Sequence, residues 1–127
     1  SGLVYVSPET KIRDAIQTMQ HHHLSHIPVA KGEMPISAAE VMGSLSEDSL
    51  MQRSFDTDDI LDRFAEELMD PALPVVGLGE SAAVAISKLE SSPVLVVHDA
   101  GQPRSLLTRS HVMNSEIVKE YLEVESQ

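Results

Sequence analysis

The chain has 127 residues, enough for one ordinary domain or two small, tightly packed ones. Hydrophobic residues make up 42% of it and aromatics only 3%, with no Trp, so a core must be built from Val, Leu, Ile, Ala and Met. A net charge of −11 argues against a nucleic-acid partner, which needs a basic face, and the lack of Cys excludes disulfides, thiolate nucleophiles and thiolate zinc sites.

No apolar run reaches the ~18 residues of a membrane span. No signal peptide is read ahead of the fold, and the missing Cys fits a reducing compartment, so a cytoplasmic location is expected. The chain opens on Ser1-Gly2 without an initiator Met and is expected to be a piece of something longer.

In chain order, "VYV" (4–6) predicts a short strand and Pro8 a turn. Ile12, Ala15, Ile16 and Met19 fall at i, i+3, i+4 and i+7, which is one face of a helix. Asp14 near its start suits the helix dipole. Then comes "HHHLSHIPVA" (21–30), with four histidines, His21, His22, His23 and His26, in six positions. Gln20–His23 are expected to close the helix, where imidazolium interacts favourably with the last carbonyls. Consecutive histidines on a helix point about 100° apart and do not chelate together; zinc on a helix takes His at i and i+4. No metal site is expected. "HIPVA" (26–30) predicts an apolar strand and Gly32 a turn, with a second strand running into another helix near Ser37.

Residues 56–72 predict a linking helix: Ile60, Leu61, Phe64 and Leu68 form a stripe, Asp56 or Thr57 can cap it, and Pro71 ends it. The pattern then repeats. "PVV" (74–76) is a strand, Gly77 and Gly79 a turn, the stretch in which Ala85, Ile86 and Leu89 lie over Ala15, Ile16 and Met19 a helix, "PVLVV" (93–97) a strand, Gly101 a turn, and a last strand enters a helix near Thr108. Ile117, Val118, Tyr121 and Leu122 make a terminal helical stripe of the core or subunit-contact kind.

The repetition is explicit. "LVYVSPETKIRDAIQTM" (3–19) lies over "LPVVGLGESAAVAISKL" (73–89), and "PISAAEVM" (35–42) is set over "LLTRSHVM" (106–113). The expected fold class is therefore α/β (α+β): two β-α-β-β-α units, repeat 1 over 1–55, a linking helix over 56–72, and repeat 2 with a C-terminal helix over 73–127.

A tandem β-α-β-β-α repeat with "HIPVA" and "PVLVV" as middle strands and "ISAAEVM" and "GQPRSLLTRSHVM" as closing steps resembles a pair of CBS domains, a Bateman module. Within that family "DILDRFAEELMDPALPVVGLGESAAVAISKLE" (59–90) is most similar to the C-terminal regulatory region of bacterial cystathionine β-synthase. The resemblance implies two units packed sheet to sheet with pseudo-two-fold symmetry, and pairing into a homodimer through the CBS helices. It also implies clefts for AMP, ADP, ATP or S-adenosylmethionine as effector, and control of an attached partner. Pyridoxal phosphate (PLP) and lyase activity would belong to a missing catalytic domain. No cofactor, catalytic residue, nucleic acid or membrane contact is expected in this chain.

The family's binding step is Gly, two apolar residues, Ser or Thr, two variable residues, then Asp. Gly allows close backbone approach, the hydroxyl and following helix favour an anion, and Asp accepts from ribose hydroxyls. Carried over, the steps are Ser37 with Glu40 and Thr108 with His111, with Gly replaced by Met34 and Ser105. Loss of a bidentate ribose contact costs about 1–3 kcal/mol or more. The resemblance places Leu24, Ser25, His26 and Ile27 in a cleft with Thr108 and His111, and Ser92 to Leu95, Val94 included, in the reciprocal one with Ser37 and Glu40. Ser37 and Thr108 also read as plain helix caps, and Glu40 and His111 as solvated helix positions. The leading reading is a non-catalytic sensor of an adenosyl ligand. Its alternative is a degenerate pair serving only dimerisation or autoinhibition.

Overall fold

A computed structural model describes residues 2–113. The chain divides into two compact units: Val4–Ala72, and Leu3 together with the residues from Leu73 onward. Among the described residues no helix is long and apolar enough to cross a membrane.

In the first unit, helix α1 runs Ile12–His21. Ile12, Ala15 and Met19 are buried and Ile16 is partly buried against the same core, so the i, i+3, i+4, i+7 face is the face that packs. The helix stops because His23 turns left-handed, at φ 55°, and the Leu24 amide donates to the Met19 carbonyl at 2.8 Å. The histidine run is thus a helix terminus: His21, His22 and His23 are all exposed, with the rings of His21 and His22 edge to face.

Strand β1 (His26–Ala30) pairs antiparallel with β2 (Val41–Ser46). On the other side of β1, Val6 makes a parallel bridge with Val29, all that forms of the predicted first strand. Ile27, Pro28, Val29 and Ala30 are all buried, as in a strand covered on both faces. The core joins Val6, Ile12, Met19, Ile27, Val29, Leu45, Leu50, Ala65 and Leu68. Helix α2 (Glu47–Ser54) follows β2 without a loop, because Ser46 Oγ accepts from the Ser49 amide at 3.1 Å.

The single helix expected over 56–72 does not form. A 3-10 turn at Ile60–Asp62 and a one-turn helix, α3 (Ala65–Leu68), replace it. Tertiary pairing overrides the stripe: Arg63 and Phe64 are extended, Phe64 bridges Lys11, and the Arg63 carbonyl accepts from the Ile12 amide at 2.9 Å. Arg13 holds Asp62 at 2.7 Å. Leu61 and Phe64 are left exposed, while Leu68 keeps its place in the core.

In the second unit β3 (Val75–Gly77) runs parallel to β4 (Val94–Asp99), and β4 pairs antiparallel with β5 (Gln102–Thr108). Helix α4 (Ala82–Ser91) starts at the residue that the sequence repeat aligns with Ile12. Ala100 and Gly101, at φ 53° and 78°, close the β4–β5 hairpin with the two positive φ angles of a tight turn. Val76, Leu89, Leu95 and Val112 form its core, and α5 is described over Arg109–Met113. The predicted stripe at Ile117, Val118, Tyr121 and Leu122 lies outside the described residues.

Candidate functional site

The second half of the repeat alignment is corrected by the structure. Ser37 and Glu40 stand before β2, not at its junction with a helix. They close a 3-10 turn at Ala38–Glu40, where Glu40 Oε1 accepts from the Ser37 amide at 2.8 Å and from Ser37 Oγ at 3.2 Å. The Glu40 carboxylate also folds over Gly32, where any Cβ would collide with it. Their place ahead of β2, not at a strand-to-helix junction, removes the basis for their carry-over as a binding step.

The true partner of "SLLTRSH" is "GSLSEDS", residues 43–49. His26 lies opposite Ser46 in the β1–β2 register, as Val94 lies opposite Thr108 in β4–β5. The Glu47 amide donates to the Ser25 carbonyl at 3.0 Å, as the Arg109 amide donates to Pro93 at 3.1 Å. Ser46 Oγ takes the Ser49 amide at 3.1 Å, and Thr108 Oγ1 takes the His111 amide at 3.2 Å. By register and capping, Gly43, Ser46 and Ser49 therefore correspond to Ser105, Thr108 and His111. The Gly is kept in the first copy and replaced by Ser105 in the second. The signal was present in the sequence as Gly43-x-x-Ser46, but the shared "VM" of 41–42 and 112–113 drew the alignment to the wrong register. Val41-Met42 open β2, whereas Val112-Met113 end the described part of α5.

The remaining predicted residues divide by burial. Leu24 and Ile27 are buried, and Ile27 belongs to the core, so their side chains pack inside the unit. Val94 is buried likewise. Ser92 Oγ donates to the Val94 carbonyl at 2.8 Å. Ser25 is exposed and meets His26 Nδ1 at 3.0 Å. His26 belongs to the first unit, and Thr108 and His111 to the second.

Charge differs between the two steps. Around the first, Glu47 and Asp48 open α2, and Asp70 is held beside β2 by paired backbone bonds with Ser44 at 2.9 and 2.7 Å. Burial lowers the His26 pKa from its ordinary 6.5, against the opposing pull of Asp48, Asp70 and Glu47. Arg53 approaches Asp70 at 3.6 Å. At the second step Arg109 donates to the carbonyls of Leu89 at 2.6 Å and Glu90 at 3.1 Å, tying the start of α5 to the end of α4. Among the described residues no group of three or more His, Asp or Glu is placed to hold a metal ion.

Each step thus presents a capped hydroxyl at a strand end. Residues 1–55 match the family model of the CBS domain. Solved structures extend the likeness to the whole fold, and they are CBS-domain proteins. One from Pyrobaculum aerophilum, complexed with AMP, is 15% identical over 100% of this chain and 94% of that one, with a TM-score of 0.80. The CBS domain of a bacterial CNNM/CorC family Mg2+ transporter, in complex with ATP, is 20% identical over 91% and 79%, with a TM-score of 0.70. CBSX2 in complex with AMP is 22% identical over 97% and 90%, with a TM-score of 0.68. The CBS match contains the whole Gly43–Ser49 step, and the chain has the mixed α/β fold of these CBS structures.

Proposed function

We propose that this chain is a non-catalytic regulatory module, a pair of CBS repeats over 1–55 and 73–127, that senses an adenosyl ligand. The observation that carries this reading is the recurrence of one strand-to-helix step, Gly43–Ser49 and Ser105–His111, with the same hydroxyl cap and the same backbone bond to the neighbouring strand. Its support from outside the chain is that CBS neighbours bind AMP or ATP. Ser46 and Thr108 are the hydroxyl donors and acceptors for the ligand. Ser49 and His111 stand where the family's ribose-accepting Asp is expected, and each supplies a single weaker acceptor.

The host suggested by residues 59–90 is a PLP-dependent enzyme similar to cystathionine β-synthase. It would be cytoplasmic, it would carry any lyase chemistry, and the module would act on it by pairing with a second copy. That host rests on the sequence resemblance alone.

The test is thermal denaturation of the chain with AMP, ADP, ATP and S-adenosylmethionine, each at 100-fold over its dissociation constant. A true ligand adds about 2.7 kcal/mol, which is several degrees for a domain of this size. Ser46→Ala and Thr108→Ala together should remove the shift, and His111→Asp should enlarge it. The missing ribose Asp in both steps favours a second reading, a purely structural pair. No shift with any of the four compounds would establish that reading and end the first.

A further inference from the structure

We infer that Glu47 and Asp48 are specificity-determining residues that bar phosphate-bearing ligands from the Ser46 step, leaving the Thr108 step to take AMP or ATP. This inference rests on the adenosyl-sensing reading above.

The two steps match in backbone and differ in charge. After Ser46 come Glu47 and Asp48, both exposed in the first turn of α2. After Thr108 come Arg109 and Ser110, and then His111. The first step has a third carboxylate nearby. Asp70 is fixed against Ser44 of β2 and acts electrostatically on His26 together with Asp48 and Glu47. The three carboxylates therefore converge on one end of the β1–β2 pair, where His26 and Ser46 lie opposite each other.

Among the described residues no cation offsets all three. Arg53 reaches Asp70 alone, at 3.6 Å. His26 is partly buried, and burial favours its neutral form. A phosphate brought to Ser46 would meet like charge on two sides. At the second step the corresponding positions carry no carboxylate, and the Arg109 guanidinium is locked on the Leu89 and Glu90 carbonyls. The residue after Thr108 is thus a cation where the residue after Ser46 is a carboxylate, and this difference favours an anion at the second step. Exposed like charges change an affinity by no more than about fivefold each, so the two together separate the steps several-fold.

The experiment is calorimetric titration of the full chain with AMP and with adenosine, repeated on Glu47→Gln/Asp48→Asn and on Thr108→Ala. Both acidic side chains are exposed, so the neutral double variant removes charge without removing packing. The expected result is one AMP per wild-type chain, lost in Thr108→Ala. In the double variant a second AMP should bind, strengthened several-fold and more than adenosine is. Two equivalent AMP sites in the wild type, or a double variant with unchanged AMP binding, would overturn the inference and leave the sensing reading intact. No binding of AMP or adenosine to any of the three proteins would end both.

Discussion

His26 shows how a side chain can be placed by pattern but understood only by surroundings. It opens β1, is partly buried, and has its pKa lowered chiefly by loss of solvation, with Asp48, Asp70 and Glu47 pulling the other way. The folded state therefore binds a proton at His26 less readily than the unfolded chain. Stability from this group is present above the ordinary value of 6.5 and is lost as pH falls through it toward the lowered folded value. Thermal melts from pH 7.5 to 5 should show a fall in midpoint that His26→Gln makes shallower. An equal slope in wild type and variant would mean that the carboxylates, not His26, set the acid response. The other histidines of the run have a different origin. His23 sits at φ 55° where the helix must turn, and its neighbours are simply the exposed last turn.

At the scale of elements, α1 and its core face were legible because Ile12, Ala15 and Met19 obey a helical period that local geometry enforces. The β2–α2 junction was less legible, since Ser37 and Ser46 are both Ser residues three positions ahead of a plausible partner. What separates them is pairing. Ser46 ends a strand held by β1, while Ser37 closes a turn with Glu40. Gly43 tests this junction. A Cβ there would meet the Asp70 carbonyl oxygen at 2.5 Å, an atom that accepts from the Ser44 amide in a residue whose own amide donates back to the Ser44 carbonyl. Gly43→Ala should therefore cost about 1–3 kcal/mol, the range for overpacking. Denaturant titration measures it; a cost below about 0.5 kcal/mol, the scale of an ordinary surface change, would show that the Asp70 segment yields. The linking helix failed for the opposite reason. Its stripe at Ile60, Leu61, Phe64 and Leu68 is real, but Arg63 and Phe64 bond to the start of α1, and a backbone committed to that pairing cannot also be helical.

For the whole molecule, the open question is what meets the apolar residues left outside. Met51 and Phe55 lie one turn apart at the end of α2, 63% and 81% exposed. If the chain pairs with itself, as the regulatory reading requires, these residues are among those described that gain from being covered. Sedimentation should then find a dimer, and Met51→Lys/Phe55→Lys a monomer with the fold retained. A wild-type monomer at every accessible concentration would remove self-pairing from the proposal. The charge of −11 works against any such pairing, so the dimer should strengthen with added salt.

The sequence by itself determined the aliphatic core, the helical faces of α1 and α4, the Gly101 turn and the doubling of the architecture. These depend on side-chain period and on residues with few backbone options, which are properties of short stretches. Only the tertiary structure decided that Ser46 rather than Ser37 ends the second strand, and that residues 56–72 break into two turns. It also decided that Asp70 joins Glu47 and Asp48 near the Ser46 step. Each of these turns on which distant backbone a segment pairs with, and strand register and long-range hydrogen bonds leave no period in the sequence to read.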